Sequence, residues 1–216
     1  MSGVIVTGAA SGIGRACAEL LVSQGISVSL WDLAEAVLDV AAGLGQHGLV
    51  VDVSDDVAAS VADAAEALGG LDGLVHAAGR VAVEPVGAYT AASWDAVLDV
   101  NLRAHALLVQ AMLPWLKESA NASVVGIASI EGIRANPYIP SYVASKAGLI
   151  GLTKSMASQL GADGIRVNTV CPGFIVTPMS MQNPAEAHEA LLANVPLGRP
   201  GEPEEVARLV LFLASD

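Results

Sequence analysis

Along the chain, short apolar runs alternate with longer segments whose apolar positions recur every three to four residues. The runs at 4–6, 27–31, 49–51, 73–76, 123–128 and 165–170 are bounded by residues such as Gly, Asp, His and Pro. They predict strands buried on both faces. The segments 12–23, 33–42, 57–68, 94–117, 141–160 and 203–214 predict helices. Strand and helix in strict alternation, joined by right-handed crossovers, give a doubly wound parallel sheet in three α/β/α layers. Ligands then bind at the carboxyl ends of the strands. Two stretches, 80–90 and 174–203, hold Pro, Gly and Asn without a strand pattern and predict loops, the second with room for a short helix at 185–193. Long loops at that edge carry substrate contacts or act as lids.

Composition supports this reading. With 216 residues, 53% hydrophobic and 15% charged, the chain is expected to form one domain around one sizeable core, spanning 1–216. The net charge of −12, with ten scattered Lys and Arg, argues against a nucleic-acid partner. Cys17 and Cys171 are too few for a disulfide framework, and no Cys or His cluster has metal-ligand spacing, so no metal is expected. The chain enters an apolar strand without a basic leader, and no uncharged apolar run approaches about 18 residues. A cytoplasmic protein that does not enter membranes is the expectation.

The first strand-to-helix turn reads Thr7-Gly8-Ala9-Ala10-Ser11-Gly12-Ile13-Gly14. Glycines let the chain reverse and let backbone N–H groups and a helix N-terminus approach a pyrophosphate. Following a strand and opening a helix, Gly8, Ser11, Gly12, Ile13 and Gly14 are candidate cofactor-binding residues. Asp32 ends the second strand, where a carboxylate accepts hydrogen bonds from ribose hydroxyls and repels a 2′-phosphate. Leu33 and Ala34 follow it and no basic residue precedes Gly12, so NAD is expected over NADP. A cap for the helix that follows is the lesser alternative for Asp32. Asp52, followed by Val53, ends the third strand, where it either meets an adenine edge or forms part of a cap.

Further along, Tyr142-Val143-Ala144-Ser145-Lys146 puts a phenol and an ammonium four residues apart, on one helix face. Free tyrosine has a pKa of about 10 and exchanges protons poorly at neutral pH. Lowering it by roughly three units takes about 4 kcal/mol, close to what one cation supplies at ~4 Å in an effective dielectric of ~20. Ser129 stands thirteen residues upstream. A phenol, an ammonium and a hydroxyl beside a dinucleotide turn suggest hydride-transfer chemistry.

Together, the glycine turn, Ser129, the Tyr-x-x-x-Lys spacing and Pro172-Gly173 give the chain a resemblance, along nearly its whole length, to the short-chain dehydrogenase/reductase family in its single-domain subgroup. The resemblance implies that Tyr142 is the proton donor or acceptor at the substrate oxygen. It implies that Lys146 lowers the tyrosine pKa and holds the nicotinamide ribose, and that Ser129 bonds the substrate oxygen. It also implies that Asn101 positions Lys146 through a water-mediated path. Pro172, Gly173, Ile175 and Thr177, in Pro172-Gly173-Phe174-Ile175-Val176-Thr177, match the segment that meets the nicotinamide carboxamide.

The chain departs from the family pattern twice. His76-Ala77-Ala78-Gly79 stands where the family has Asn-Asn-Ala-Gly. The small residues Ala78 and Gly79 near the cofactor are kept, while His76 either replaces the strand-bridging amide or leaves the sheet centre weaker. The sequence ends at Leu213-Ala214-Ser215-Asp216, where relatives continue into a last strand, so six strands with one uncovered edge are expected.

The expected function is NAD-dependent interconversion of a secondary alcohol and a ketone, with a small-molecule alcohol or ketone as substrate. Alternatives are an NADPH-dependent 3-oxoacyl carrier-protein ketoreductase and a non-catalytic NAD-binding module. The resemblance further implies a homodimer or homotetramer through the two long helices. Glu131, Arg134, Tyr138, Phe174 and Met179 are candidates for the pocket wall, with Glu131 expected to face outward.

Overall fold

The computed structural model describes residues 3–182 and 185–215. Six parallel strands, β1 (Gly3–Thr7), β2 (Ser27–Asp32), β3 (His47–Val50), β4 (Gly73–His76), β5 (Ser123–Ile127) and β6 (Arg166–Val170), form one sheet in the order β3-β2-β1-β4-β5-β6. This is the expected Rossmann-like α/β arrangement. Its chain reversal falls between β1 and β4, where connections leave to opposite sides and open a crevice.

Alternate strand residues feed two cores, as the two-residue period of a strand requires. On one face Val4, Val6, Val28, Leu30 and Val125 meet α1 (Gly12–Ser23), α2 (Ala36–Leu44) and α9 (Pro203–Ala214) through Leu21, Val37 and Val210. On the other, Ile5, Trp31, Leu74 and Val124 meet α3 (Ala58–Leu68) and α5 (Ala104–Glu118) through Val61, Leu108, Met112 and Leu116. The remaining helices are α4 (Ala91–Leu98), α6 (Pro140–Leu160), and, in the predicted loop, α7 (Pro178–Met181) and α8 (Ala185–Leu192). Residues 183, 184 and 216, within that loop and at the end of the sequence, lie outside the described residues.

Several boundaries differ from the sequence reading for identifiable reasons. The helix expected from residue 33 starts at Ala36, because Asp32 Oδ1 accepts the Ala34 N–H at 3.0 Å and holds a turn there. β3 begins two residues earlier than expected, since His47 and Gly48 already pair with Ser29 and Leu30 of β2 and the His47 ring bonds the Ser29 hydroxyl at 2.8 Å. The long helix predicted at 94–117 is α4 and α5 joined by a π-helical turn, Asp99–Arg103. Such wide turns are rare and collect at functional sites. The continuous helical run Ala91–Glu118 is long and apolar enough to cross a membrane by length and composition, and 39% of its most apolar window is buried within the fold.

His76 replaces the expected amide bridge. Its Nε2–H donates to the Val100 carbonyl at 3.1 Å, which leaves Nδ1 to accept the Thr7 hydroxyl at 3.0 Å, and Thr7 Oγ1 accepts the Ala78 N–H at 3.1 Å. β1, β4 and the π-helical turn are thereby tied together at the crevice. The His105 ring packs against His76 with centroids 5.4 Å apart, over Gly126, where a Cβ would lie 3.2 Å from His105 Cε1. At the outer strand β6, Arg166 donates to the carbonyls of Leu213, Ala214 and Ser215, and Ser123 Oγ also donates to Leu213. These bonds satisfy carbonyls that the end of α9 leaves unpaired.

Thr7→Val keeps the shape but leaves His76 Nδ1 and the Ala78 N–H without their partner. A loss of roughly 1–3 kcal/mol per stranded group should lower the urea midpoint with the slope of unfolding unchanged; an unshifted midpoint would contradict this role for Thr7.

Candidate active site

A cleft of about 1720 Å³ runs along the carboxyl ends of the strands. At one end lies the glycine turn. Gly8 and Gly12 have φ of 68° and 53°, in the left-handed region that favours glycine, and a Cβ on Gly14 would stand 2.2 Å from the Gly8 carbonyl oxygen. Ser11 precedes α1 without a side-chain cap, and the first turn holds no acidic residue. The first N–H groups of the helix are therefore free to receive an anion. Asp32 Oδ2 accepts the Ala10 N–H at 3.0 Å, so the carboxylate is pinned across the turn. It does not cap α2, whose N-cap is Glu35. Asp52 accepts the Ser54 hydroxyl at 2.6 Å and its N–H at 2.9 Å, bonds that hold the carboxyl below the usual range. These features fit a dinucleotide.

At the other end, β5 finishes beside Ser129, whose Oγ accepts the Glu131 N–H at 3.1 Å. Pro140 opens α6, suited to a first turn whose N–H groups are unpaired anyway. This sets Tyr142 facing Ser129, whose hydroxyl is close enough to lower its pKa, and Lys146 one turn further on. Lys146 Nζ donates to the Ile127 carbonyl at 2.7 Å and lies 5.5 Å from the Tyr142 ring centroid. Asn101 sits in the π-helical turn, its Oδ1 accepting from Arg80 N and its Nδ2 donating to Arg80 O and to Ser145 Oγ. It thus braces the helix next to Lys146.

Gly8, Ser11, Gly12, Ile13, Gly14, Asp32, Asp52, Val53, Ala78, Gly79, Ser129, Tyr142, Lys146, Pro172, Gly173, Ile175 and Thr177 all line this one cleft. Asn101 is the exception, buried behind the wall. A Cβ on Gly12 would lie 3.3 Å from Thr177 Cγ2, so the start of α7 packs against the glycine turn. Arg134, Tyr138, Phe174 and Met179 also line the cleft. Glu131 corrects the expectation: it does not face outward but is buried, at 8% exposure. Sequence reasoning missed Gly132, where a Cβ would stand 2.8 Å from the Lys146 carbonyl carbon, and Ser145, which holds Asn101. The geometry around Lys146 rests on both, and the glycine following Ser129-Ile130-Glu131 was the available sign.

The electrostatics differ from the simple expectation for the Tyr–Lys pair. Burial pushes Tyr142 above the ordinary phenol range, the Ser129 hydrogen bond lowers it, and Glu131 raises it. Burial also brings Lys146 down to about 8. His105 falls to about 4, through burial and then Lys146, and His76 lies well below its ordinary value, so neither adds charge at neutral pH. Burial raises Cys17 to about 12 and also raises Cys171. Among the described residues no group of three His, Cys, Asp or Glu is placed to hold a metal.

A dinucleotide turn, an acidic residue at the end of β2 and a phenol–ammonium–hydroxyl group in one cleft define an oxidoreductase class. A family model of short-chain dehydrogenase type, described as "Enoyl-(Acyl carrier protein) reductase", matches residues 8–216. The chain belongs to the short-chain dehydrogenase/reductase family, whose members bind a nicotinamide cofactor. It is 40% identical to the 3-oxoacyl-[acyl-carrier-protein] reductase FabG of Thermotoga maritima, over 98% of this chain and 89% of that protein. It is 36% identical to a 2-dehydro-3-deoxy-L-rhamnonate dehydrogenase (NAD(+)) of a Sphingomonas species, over 98% and 87%. The solved TT0495 protein of Thermus thermophilus superposes with a TM-score of 0.93 at 38% identity, over 99% of this chain and 90% of that one.

Lys146 titrates at about 8 in the fold against an ordinary 10.5, so its burial costs about 3 kcal/mol at pH 7. Between those two values the unfolded chain holds a proton that the folded chain has lost, and stability rises with pH across that window. Lys146→Met should therefore raise the urea midpoint at pH 7 and abolish turnover, with the stability gain shrinking towards pH 10. A midpoint below wild type at pH 7 would count against the buried charge.

Proposed function

We propose that the chain, acting as one domain over residues 1–216, interconverts a secondary alcohol and a ketone with NAD. The observation that carries this reading is the convergence of Ser129, Tyr142 and Lys146 on the same cleft as the glycine turn and Asp32. A bound nicotinamide dinucleotide would supply the hydride acceptor or donor. Gly8, Ser11, Gly12, Ile13 and Gly14 would hold its pyrophosphate, Asp32 its ribose hydroxyls, and Asp52 and Val53 its adenine. Ala78, Gly79, Pro172, Gly173, Ile175 and Thr177 would border its nicotinamide half, with Asn101 behind that wall and 174–203 as substrate loop.

In this reading Tyr142 exchanges the proton at the substrate oxygen while Ser129 donates a hydrogen bond to that oxygen as it gains carbonyl character. Lys146 supplies positive charge behind the phenol, and Asn101, through Ser145, keeps that stretch of helix in place. Because burial holds Tyr142 above its ordinary range, the protonated phenol predominates at neutral pH and suits ketone reduction. Alcohol oxidation needs the phenolate, whose fraction grows as pH rises.

Asp32 favours NAD: its carboxylate would face a 2′-phosphate, and the residues after it, Leu33 and Ala34, offer no cation. The NAD(+) in the name of the Sphingomonas relative agrees. A second reading, NADPH-dependent reduction of a 3-oxoacyl group on a carrier protein, is favoured by the name of the Thermotoga relative. We further infer a cytoplasmic protein that pairs with a second copy along Ala91–Glu118 and Pro140–Leu160, a state that light scattering would report.

Tyr142→Phe should retain dinucleotide binding and lose kcat by about 10²- to 10⁴-fold, while wild-type alcohol oxidation should climb with pH through the alkaline range. Fluorescence titration should show NADH bound at least ~10-fold more tightly than NADPH, a difference of about 1.4 kcal/mol. Unchanged turnover in Tyr142→Phe would sink the mechanism, and tighter NADPH binding would turn the reading towards the carrier-protein ketoreductase.

A further inference from the structure

Glu131 occupies the cleft wall in a position that the fold fixes but does not satisfy. Its backbone N–H is held by Ser129 Oγ, and the following Gly132 packs on the Lys146 backbone, so the residue cannot move away from the reacting groups without disturbing both. One carboxylate oxygen accepts from Arg134 Nη2 at 3.1 Å, and Arg134 is itself half-exposed. The other, Oε2, is sealed from solvent and has no hydrogen-bond partner. An unpaired, desolvated carboxylate oxygen is costly. The same charge opposes ionisation of Tyr142, so in the free chain it hinders both folding and proton abstraction.

A donor that arrives with the substrate offsets the desolvation penalty, and a cationic donor also offsets the charge that faces Tyr142. Rotation about the terminal carboxylate bond is soft, so either oxygen can turn to a new partner while Arg134 follows. Tyr138, Phe174 and Leu197 also line the cleft and offer it apolar surface for the remainder of a ligand.

We propose that Glu131 is a specificity-determining residue that accepts a hydrogen bond from a second donor on the substrate, a hydroxyl or an ammonium group near the carbinol carbon. The preferred substrates are then diols, sugar-derived polyols or amino alcohols rather than simple secondary alcohols. This inference rests on the alcohol–ketone reading for its chemistry, but binding tests it separately.

The experiment compares 2,3-butanediol and 3-amino-2-butanol with 2-butanol. Binding to the NAD-loaded Tyr142→Phe protein is measured by calorimetry, with and without Glu131→Ala or the isosteric Glu131→Gln; NAD reduction is followed with wild type. The donor-bearing alcohols should bind about 10- to 100-fold more tightly than 2-butanol, as one charge-assisted hydrogen bond provides. Glu131→Ala should erase that preference. Glu131→Gln should weaken the amino alcohol more than the diol if the natural donor is an ammonium, and both alike if it is a hydroxyl. Equal affinities for all three alcohols, or a preference untouched by both substitutions, would overturn the proposal. A preference that depends on Glu131 in a wild type that oxidises none of the alcohols would support it while refuting the reaction reading.

Discussion

An ammonium kept at 4% exposure needs an oxygen to point at, and in this chain that oxygen is the Ile127 carbonyl, 2.7 Å from Lys146 Nζ. The contact joins the last residue of β5 to the middle of α6, so the position of the charge is set by the sheet and not by a mobile side chain. Gly132 allows the loop after β5 to lie directly on the Lys146 backbone, and Ser145, next in sequence, anchors Asn101 from the π-helical turn. Three elements distant in sequence thus converge on one residue. Burial lowers the proton affinity of Lys146 and raises that of Tyr142, so two groups that titrate close together in water are driven apart, with the lysine the first to lose its proton. Sites of this kind concentrate stability penalties that the surrounding sheet has to offset.

The surrounding sheet can do so because its central strands are buried on both faces. β1, β4 and β5 are apolar or small at every position that meets a helix, and the polar exceptions, Thr7 and His76, satisfy each other. The cofactor end of the cleft needs little beyond backbone: free N–H groups, three glycines and one pinned carboxylate. Specificity therefore falls to the other end, where side chains from the loops after β4, β5 and β6 form the wall.

Much of this was legible in the sequence. Strand runs and helical periods located every element of the sheet, and the glycine turn and Tyr142–Lys146 spacing located both ends of the cleft. What stayed hidden depends on paths that no periodic pattern encodes. The π-helical turn at Asp99–Arg103 continues the apolar stripe of its neighbours, so the widening that frees Asn101 for Arg80 and Ser145 leaves no trace in the pattern. Glu131 looked like an outward loop carboxylate because loops usually face water, whereas the tight turn from Ser129 to Gly132 folds it inward. His76 was recognised as structural, but its partners Thr7 and Val100, far away in sequence, came only from the sheet register.

The space over Gly126 has a consequence for how this sequence can change. A glycine within a central strand is normally a weakness. Here its missing side chain is the volume that the His105 ring occupies beneath His76. Enlarging position 126 alone would crowd the imidazole, and shrinking position 105 alone would leave a void against the sheet. The two positions, on different elements and 21 residues apart, are therefore energetically coupled, so that a change at one is best accommodated by a compensating change at the other.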